Sequence, residues 1–453
     1  MTSTEQRERA VIAFTRFGLG ATSSVGLTQI ESDPIGAILE ELENPTRAII
    51  RDRELPGYAA ACAVAHTSFE AEDQLMKREL SARVEKHRTS QIGFLERLVM
   101  FWSNHFNMTV AKNGAVRATI GQYERDVVRR RFLGSFEGLL RNTIRHPAMM
   151  AYLDNADSIG PNSAVGRSTG RGINVNLARE ILELHTVGVG AGYTEIDIRN
   201  MAYILSGWSY VRGWEARANV NGGNAANHGQ FIYRSRWHEP GGFTVLGRRY
   251  RAVGERQGQR VIRDLSRHPA TAQFIAYKLV HHFLTDNPTP DLVDPVKRAF
   301  LNSEGDLKET ARALVQMPAS WSLPLAKLRR PYELLVAQLR ALEMTWHPED
   351  LWRLYEALHA MGNKPWMWTA PNGYPDSNEH WESPDGIRVR ADSIQMTTWA
   401  LTNREGRSPS ALDIGSSLFG PLLSATTQQA LRTAANAREA LTLLFLSPEF
   451  QRR

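Results

Sequence analysis

One stretch limits the folds open to this chain more than any other. Across 91–110, Leu95, Val99, Trp102 and Phe106 recur at three- and four-residue spacing, the repeat of one helix face. A second stripe, Leu98, Phe101 and Met108, makes the same helix apolar on most sides. Such a helix has to be surrounded by protein. Patterns of the same period predict the helices that cover it, at 117–150, 176–187, 195–207, 255–266, 270–284, 290–302, 306–317, 331–344, 348–361 and 427–446. The expected class is mainly α, a multi-helix orthogonal bundle.

Two intervals break the pattern. Within 212–250, a Gly/Asn-rich linker at 219–227 precedes two β-like runs, 230–234 and 243–246, separated by His238-Glu239-Pro240-Gly241-Gly242. This predicts a small inserted β-hairpin. The stretch 363–385 is rich in Trp, Pro, Gly and Asn and is expected to be a long ordered loop, the kind that tends to carry function. A chain of 453 residues exceeds one ordinary core. The expected division is an N-terminal helical region at 1–90, a central helical core at 91–345 with the 212–250 insertion, and a C-terminal helical region at 346–453 with the 363–385 loop.

Several function classes are disfavoured. The 54 basic and 48 acidic residues give a net charge of +6, and the one tight basic cluster is Arg129-Arg130-Arg131. It lies among Val127, Val128 and Phe132, as on the solvated side of an amphipathic helix, so no nucleic-acid partner is expected. No apolar run approaches the roughly 18–20 residues that span a bilayer. The polar opening at 1–10 lacks a signal-peptide pattern, and a cytoplasmic location is expected. With Cys62 as the single cysteine, a metal could be held only by His and carboxylate. Phosphate-loop, dinucleotide and serine-elbow patterns are missing, and no metal or cofactor is assigned.

The polar chemistry is concentrated in 142–208. Asn174 or Asn176 can cap a helix in which Leu177, Ala178, Ile181, Leu182 and Leu184 share one face. His185 falls in the middle of that face, Glu180 at its border, Glu183 further out and Arg179 on the far side. A half-buried carboxylate has its pKa raised, as a general acid needs. Upstream, Tyr152-Leu153-Asp154-Asn155 leads into a Gly/Ser-rich stretch, 160–170, expected to form a mobile lid. Thr194 and Asp197 have capping-box spacing. The catalytic candidates are Glu180, Asp154, Glu183 and His185; the substrate-contacting candidates are His238, Glu239, Trp208, Trp237, Trp366, Trp368 and Asn155.

The leading expectation is a carbohydrate-active hydrolase that uses paired carboxylates about 5–10 Å apart across a cleft, with tryptophans stacking on a polysaccharide or oligosaccharide. That cleft is expected between 142–208, 230–246 and 363–385. An alternative is a His/carboxylate metal enzyme using His185, Glu180, Asp154 and His238, although five-residue spacing between Glu180 and His185 suits ligation poorly. A third reading is a non-enzymatic scaffold, in which His185 and Glu180 tie helices together within a dry, tightly packed cluster.

Further segments give a resemblance. They are 96–106 (Glu96 through Phe106), His146-Pro147-Ala148-Met149 to Asn155, 176–188 (Asn176 through Gly188), and Gly192-Tyr193-Thr194 to Leu205-Ser206-Gly207-Trp208. Later come His268-Pro269-Ala270-Thr271-Ala272, Lys278-Leu279, Gly305-Asp306-Leu307 and Ser447-Pro448-Glu449-Phe450. Together they resemble the bacterial domain of unknown function 1800 family over nearly the whole chain. The resemblance implies an all-helical body and a neighbouring gene for a sulfatase-like protein with an export signal, with which this chain could leave the cell. Two loops depart from the family's pattern: His238-Glu239 replaces His-Asp, with Phe243-Thr244 where a Lys is usual, and the 366–381 stretch is altered.

Overall fold

The computed structural model describes residues 2–24, 26–404 and 406–453, without the side chains of 401–404. Among the described residues the structure is 63% helical, with two small antiparallel two-stranded sheets. The fold is mainly α, as the periodicity requires. Buried apolar side chains from Ala10 to Phe450 form one contiguous cluster.

The central helix is Phe94–His105, and every residue from Phe94 to Trp102 is buried. Its N-terminus lies inside the protein, where the free N–H groups of a first turn need acceptors. Glu41, on helix Pro34–Glu43, supplies them: its carboxylate accepts from the N–H groups of Ile92 (2.9 Å), Gly93 (3.3 Å) and Phe94 (2.9 Å). The negative charge also complements the positive end of the helix dipole.

Charge is buried on both sides of this helix. Glu96 meets Arg129 at 2.7 Å and His87 at 3.1 Å, while Arg97 meets Glu333 at 2.9 Å. Glu333 also pairs with Arg330 (2.9 Å) and Arg453 (2.8 Å). This corrects the reading of the arginine triplet. Arg130 is exposed, but Arg129 is fully buried, where it binds Glu96, Glu124 and the Ala48 carbonyl.

There are three five-residue π-helical segments among the described residues: Ala13–Phe17 and Ile181–His185 end α-helices, and Glu124–Val128 interrupts one. Each carries a buried polar side chain: Arg16, Glu124 and His185. Arg16 donates to the carbonyls of Ser320 (2.7 Å), Leu323 (2.9 Å) and Pro324 (2.7 Å). One-turn π segments of this sort are frequent at functional sites.

The inserted β structure is present but pairs differently from expectation. Phe231–Tyr233 pairs with Trp208–Tyr210, and Phe243–Val245 pairs with Arg248–Tyr250. The reason lies in two turns. Leu246 and Gly247 have φ of 47° and 75°, so the second run folds straight back through a two-residue turn of the kind that matches strand twist. Gly207, at φ 78°, passes so close to the Arg234 carbonyl that a Cβ there would stand 2.6 Å from it. That contact draws the first run against Trp208 instead.

The Trp/Pro loop is ordered over 363–377, after which helices Asn378–Trp381 and Pro384–Arg404 begin. Two asparagines hold it, Asn104 in the central helix's last turn and Asn107 just past that helix. Asn104 exchanges hydrogen bonds with the backbone of Tyr374 (2.9 and 2.8 Å), and Asn107 donates to the carbonyls of Trp368 (3.0 Å) and Ala370 (2.8 Å).

Candidate functional site

Asn174 accepts from the Asn176 N–H at 2.8 Å, setting the start of helix Asn176–Glu180, which passes into the π segment Ile181–His185. Glu180 stands at this junction, half-buried, and its Oε2 is buried without a hydrogen-bond partner among the described residues. Burial first, and then the charge of Glu183, push its pKa up to about 7; Arg179 opposes this. Glu183 is paired with Arg179 at 3.1 Å, and Arg179 is fixed by a two-pronged contact with Glu195 (2.9 and 2.8 Å). The helix therefore presents a protonatable carboxyl beside a carboxylate anchored to a guanidinium.

Tyr152 connects this pair to the Trp/Pro loop. Its phenol donates to the Thr369 carbonyl at 3.0 Å, and burial together with the nearby Glu180 charge raises its pKa to about 12. Asp154 lies two residues on, in a left-handed conformation (φ 57°), with its carboxylate on Lys112 at 2.8 Å. A non-glycine residue in this region costs backbone energy and is worth attention.

His185 is internal, as its place on the helix face predicts. It is fully buried, both ring nitrogens lack partners among the described residues, and burial pushes its pKa down to about 3. Behind it runs a chain that sequence reading missed. His105 Nε2 lies 3.2 Å from the His185 carbonyl, to which only an N–H can donate, so His105 Nδ1 accepts from Lys278 at 3.2 Å. Burial lowers Lys278 to about 8. Histidine and lysine come from helices more than 170 residues apart, and no local spacing announces them.

Several substrate-contacting candidates are buried or tied to the backbone. Trp208 is fully buried and packed over Gly258, where a Cβ would stand 2.4 Å from its ring, so it offers no face to a sugar. Asn155 is buried and donates to the Trp208 carbonyl at 2.9 Å. Trp366 is buried beside Arg83. Glu239 is buried as a strut, accepting from the backbone and side chain of Asn162 (2.8 and 2.6 Å) while its own N–H donates to Ser206. His238 donates to the Ser206 carbonyl at 3.0 Å, with its other nitrogen buried. Trp237 and Trp368 remain partly exposed; Trp368 leans on Tyr374 and donates to Asn372 at 3.1 Å.

The expected lid is an ordered element. Ser163 caps helix Ala164–Thr169, and Gly166 packs so tightly that a Cβ would meet the Gly160 carbonyl at 2.1 Å. The expected three-part cleft also divides. The Trp/Pro loop meets the segment at Tyr152, whereas the 230–246 interval meets it at Gly160 and Ser206. Among the described residues, no group of three or more His, Cys, Asp or Glu is arranged to hold a metal ion, and no helix is long and apolar enough to cross a membrane.

Fold and site thus define a mainly helical protein with an acidic pair on a helix that ends in a π turn. No curated protein and no solved structure matches the chain. The family described as "Protein of unknown function (DUF1800)" matches residues 12–452, and the chain belongs to that family.

Proposed function

We propose that this chain is an acid–base hydrolase acting on glycosidic bonds, with Glu180 as the proton donor and Glu183 as its carboxylate partner. The observation that carries the reading is the buried, unpartnered oxygen of Glu180 together with its pKa of about 7 beside an arginine-anchored carboxylate. Two neighbouring carboxyls held in unlike environments are the arrangement that separates acid from base. Glu180 gives its proton to the leaving-group oxygen, and Glu183 acts on water or on the anomeric carbon. Tyr152 holds the Trp/Pro loop against the pair, and the partly exposed Trp368 offers a stacking face for the sugar.

The test is turnover of a polysaccharide panel by the unsubstituted chain and by Glu180→Gln and Glu183→Gln. Each substitution is expected to lower kcat by about 10²–10⁴. Unchanged turnover in both removes them from the mechanism.

A second reading, a binding or scaffold partner for an exported sulfatase-like protein, is favoured by a specific observation. His185 is fully enclosed by protein, while Val189 just past that helix and Ile196 at the start of the next stand exposed, at 76% and 68%. No turnover by the unsubstituted chain, with a sharp fall in melting temperature for Glu180→Gln, selects this reading.

A further inference from the structure

Asp154 also borders a cavity of about 480 Å³ that Glu180 does not line. Ligand pockets fall at roughly 300–1,000 Å³, so this one suits one or two small rings. Its wall includes Asp157, Arg212, Trp214, Arg217 and His228.

Trp214 and Arg217 stand three residues apart on helix Gly213–Ala218 and so share a face. That short helix is firmly seated. Glu215 is buried, accepts from the Arg212 N–H at 3.0 Å, and pairs with the buried Arg234 at 2.7 Å. The indole is nevertheless 50% exposed, which leaves a large apolar face in water with no packing in return. Gly213 brings two nitrogen-bearing side chains together: a Cβ there would stand 3.3 Å from both Arg217 Nη1 and His228 Nε2. Among the described residues no carboxylate pairs with Arg217. Asp157 is held by Arg212 at 2.6 Å and Arg171 at 3.1 Å, and Asp154 by Lys112 at 2.8 Å. These carboxylates keep lone pairs for further donors.

We propose that this cavity binds a uronic acid, a pyranose ring that carries a carboxylate. The C–H face of the ring lies on Trp214, the carboxylate meets Arg217, and ring hydroxyls donate to Asp154 and Asp157. An aromatic acid would satisfy the indole and the guanidinium but supplies no hydroxyls for the aspartates. A neutral sugar would leave Arg217 unpaired. The assignment stands whether or not Glu180 is catalytic.

The experiment titrates the full chain with D-glucuronate, D-galacturonate, their neutral counterparts D-glucose and D-galactose, and benzoate, followed by calorimetry and tryptophan fluorescence. At least one uronate is expected to bind about tenfold or more tightly than its neutral counterpart and than benzoate. Trp214→Ala and Arg217→Ala should each weaken that binding about tenfold or more without moving the melting temperature, since both side chains are exposed. Glu180→Gln should leave it unchanged, which separates this site from the hydrolytic reading. Failure of both uronates to bind at about 10 mM, equal binding of uronate and neutral sugar, equal binding of benzoate, or indifference to Arg217→Ala would overturn the proposal.

Discussion

The carboxyl of Glu180 ends a short helix with one oxygen buried, and any charge it carries must sit near that of Glu183. Its folded pKa of about 7 lies above the ordinary 4.5, so between those values the folded chain holds a proton that the unfolded chain releases. Stability from this group is therefore lost as pH rises through that window. Glu180→Gln should raise the melting temperature at pH 8 and leave it unmoved near pH 4.5, an effect on the order of 1 kcal/mol after solvent screening. In an active enzyme, kcat should fall above about pH 7 as the acid loses its proton; a rate that climbs through pH 8 would argue against a proton-donating Glu180. His185 behaves oppositely. Its two unpartnered nitrogens cost desolvation, so His185→Leu should hold or raise stability by about 1 kcal/mol in urea unfolding. A loss of 2 kcal/mol or more, on the scale of a buried polar partner lost, would show that the ring has a hidden partner. Sequence periodicity places both residues correctly, because a helix face can be read from spacing alone. It gives no view of Arg179 reaching Glu195, nor of Lys278 reaching His105.

Elements with strong local signals are legible. Helices Glu255–Ser266 and Pro290–Asn302 begin and end where their patterns do, and the Thr194–Asp197 capping box forms as its spacing requires. The strands are not, because Phe231–Tyr233 takes its partner from 208–210, some twenty residues upstream, while Phe243–Val245 folds back on Arg248–Tyr250 through a turn that places Leu246 at positive φ. The arginine triplet misleads for a related cause: the helix around it passes into a π turn, which shifts the face and carries Arg129 inward. Capping from afar is equally invisible. Glu41 closes the central helix from some fifty residues away. Glu41→Ala leaves those buried N–H groups without acceptors and should cost about 2–3 kcal/mol of unfolding free energy in urea. A cost below about 0.5 kcal/mol would mean the first turn is satisfied by other means.

For the molecule as a whole, buried titratable groups set the response to acid. His146 and His185 are both pushed down to about 3 by burial, and His87 to about 4. Each stays neutral in the folded chain while its unfolded counterpart gains a proton below about 6.5. Stability is therefore lost as pH falls from about 6.5 toward 3, at up to about 1.4 kcal/mol per pH unit for each such ring. Glu96, held down to about 2 with Arg129 its main favourable partner against burial, adds a loss below 4.5. Calorimetric melting temperatures between pH 7 and pH 5 should fall steadily, and His185→Leu should flatten that slope by one ring's share. Parallel slopes in the two proteins would refute the assignment. Composition cannot foretell this, since thirteen histidines on a surface would leave stability nearly indifferent to pH in that range.

The two asparagines that grip the Trp/Pro loop decide how a ligand would meet Trp368. Their amides replace the hydrogen bonds that a strand partner would supply, so the loop's freedom is already spent before any encounter. Association at that face is then a meeting with a preset surface. It should proceed in one kinetic phase, with no gating step that saturates as ligand concentration rises.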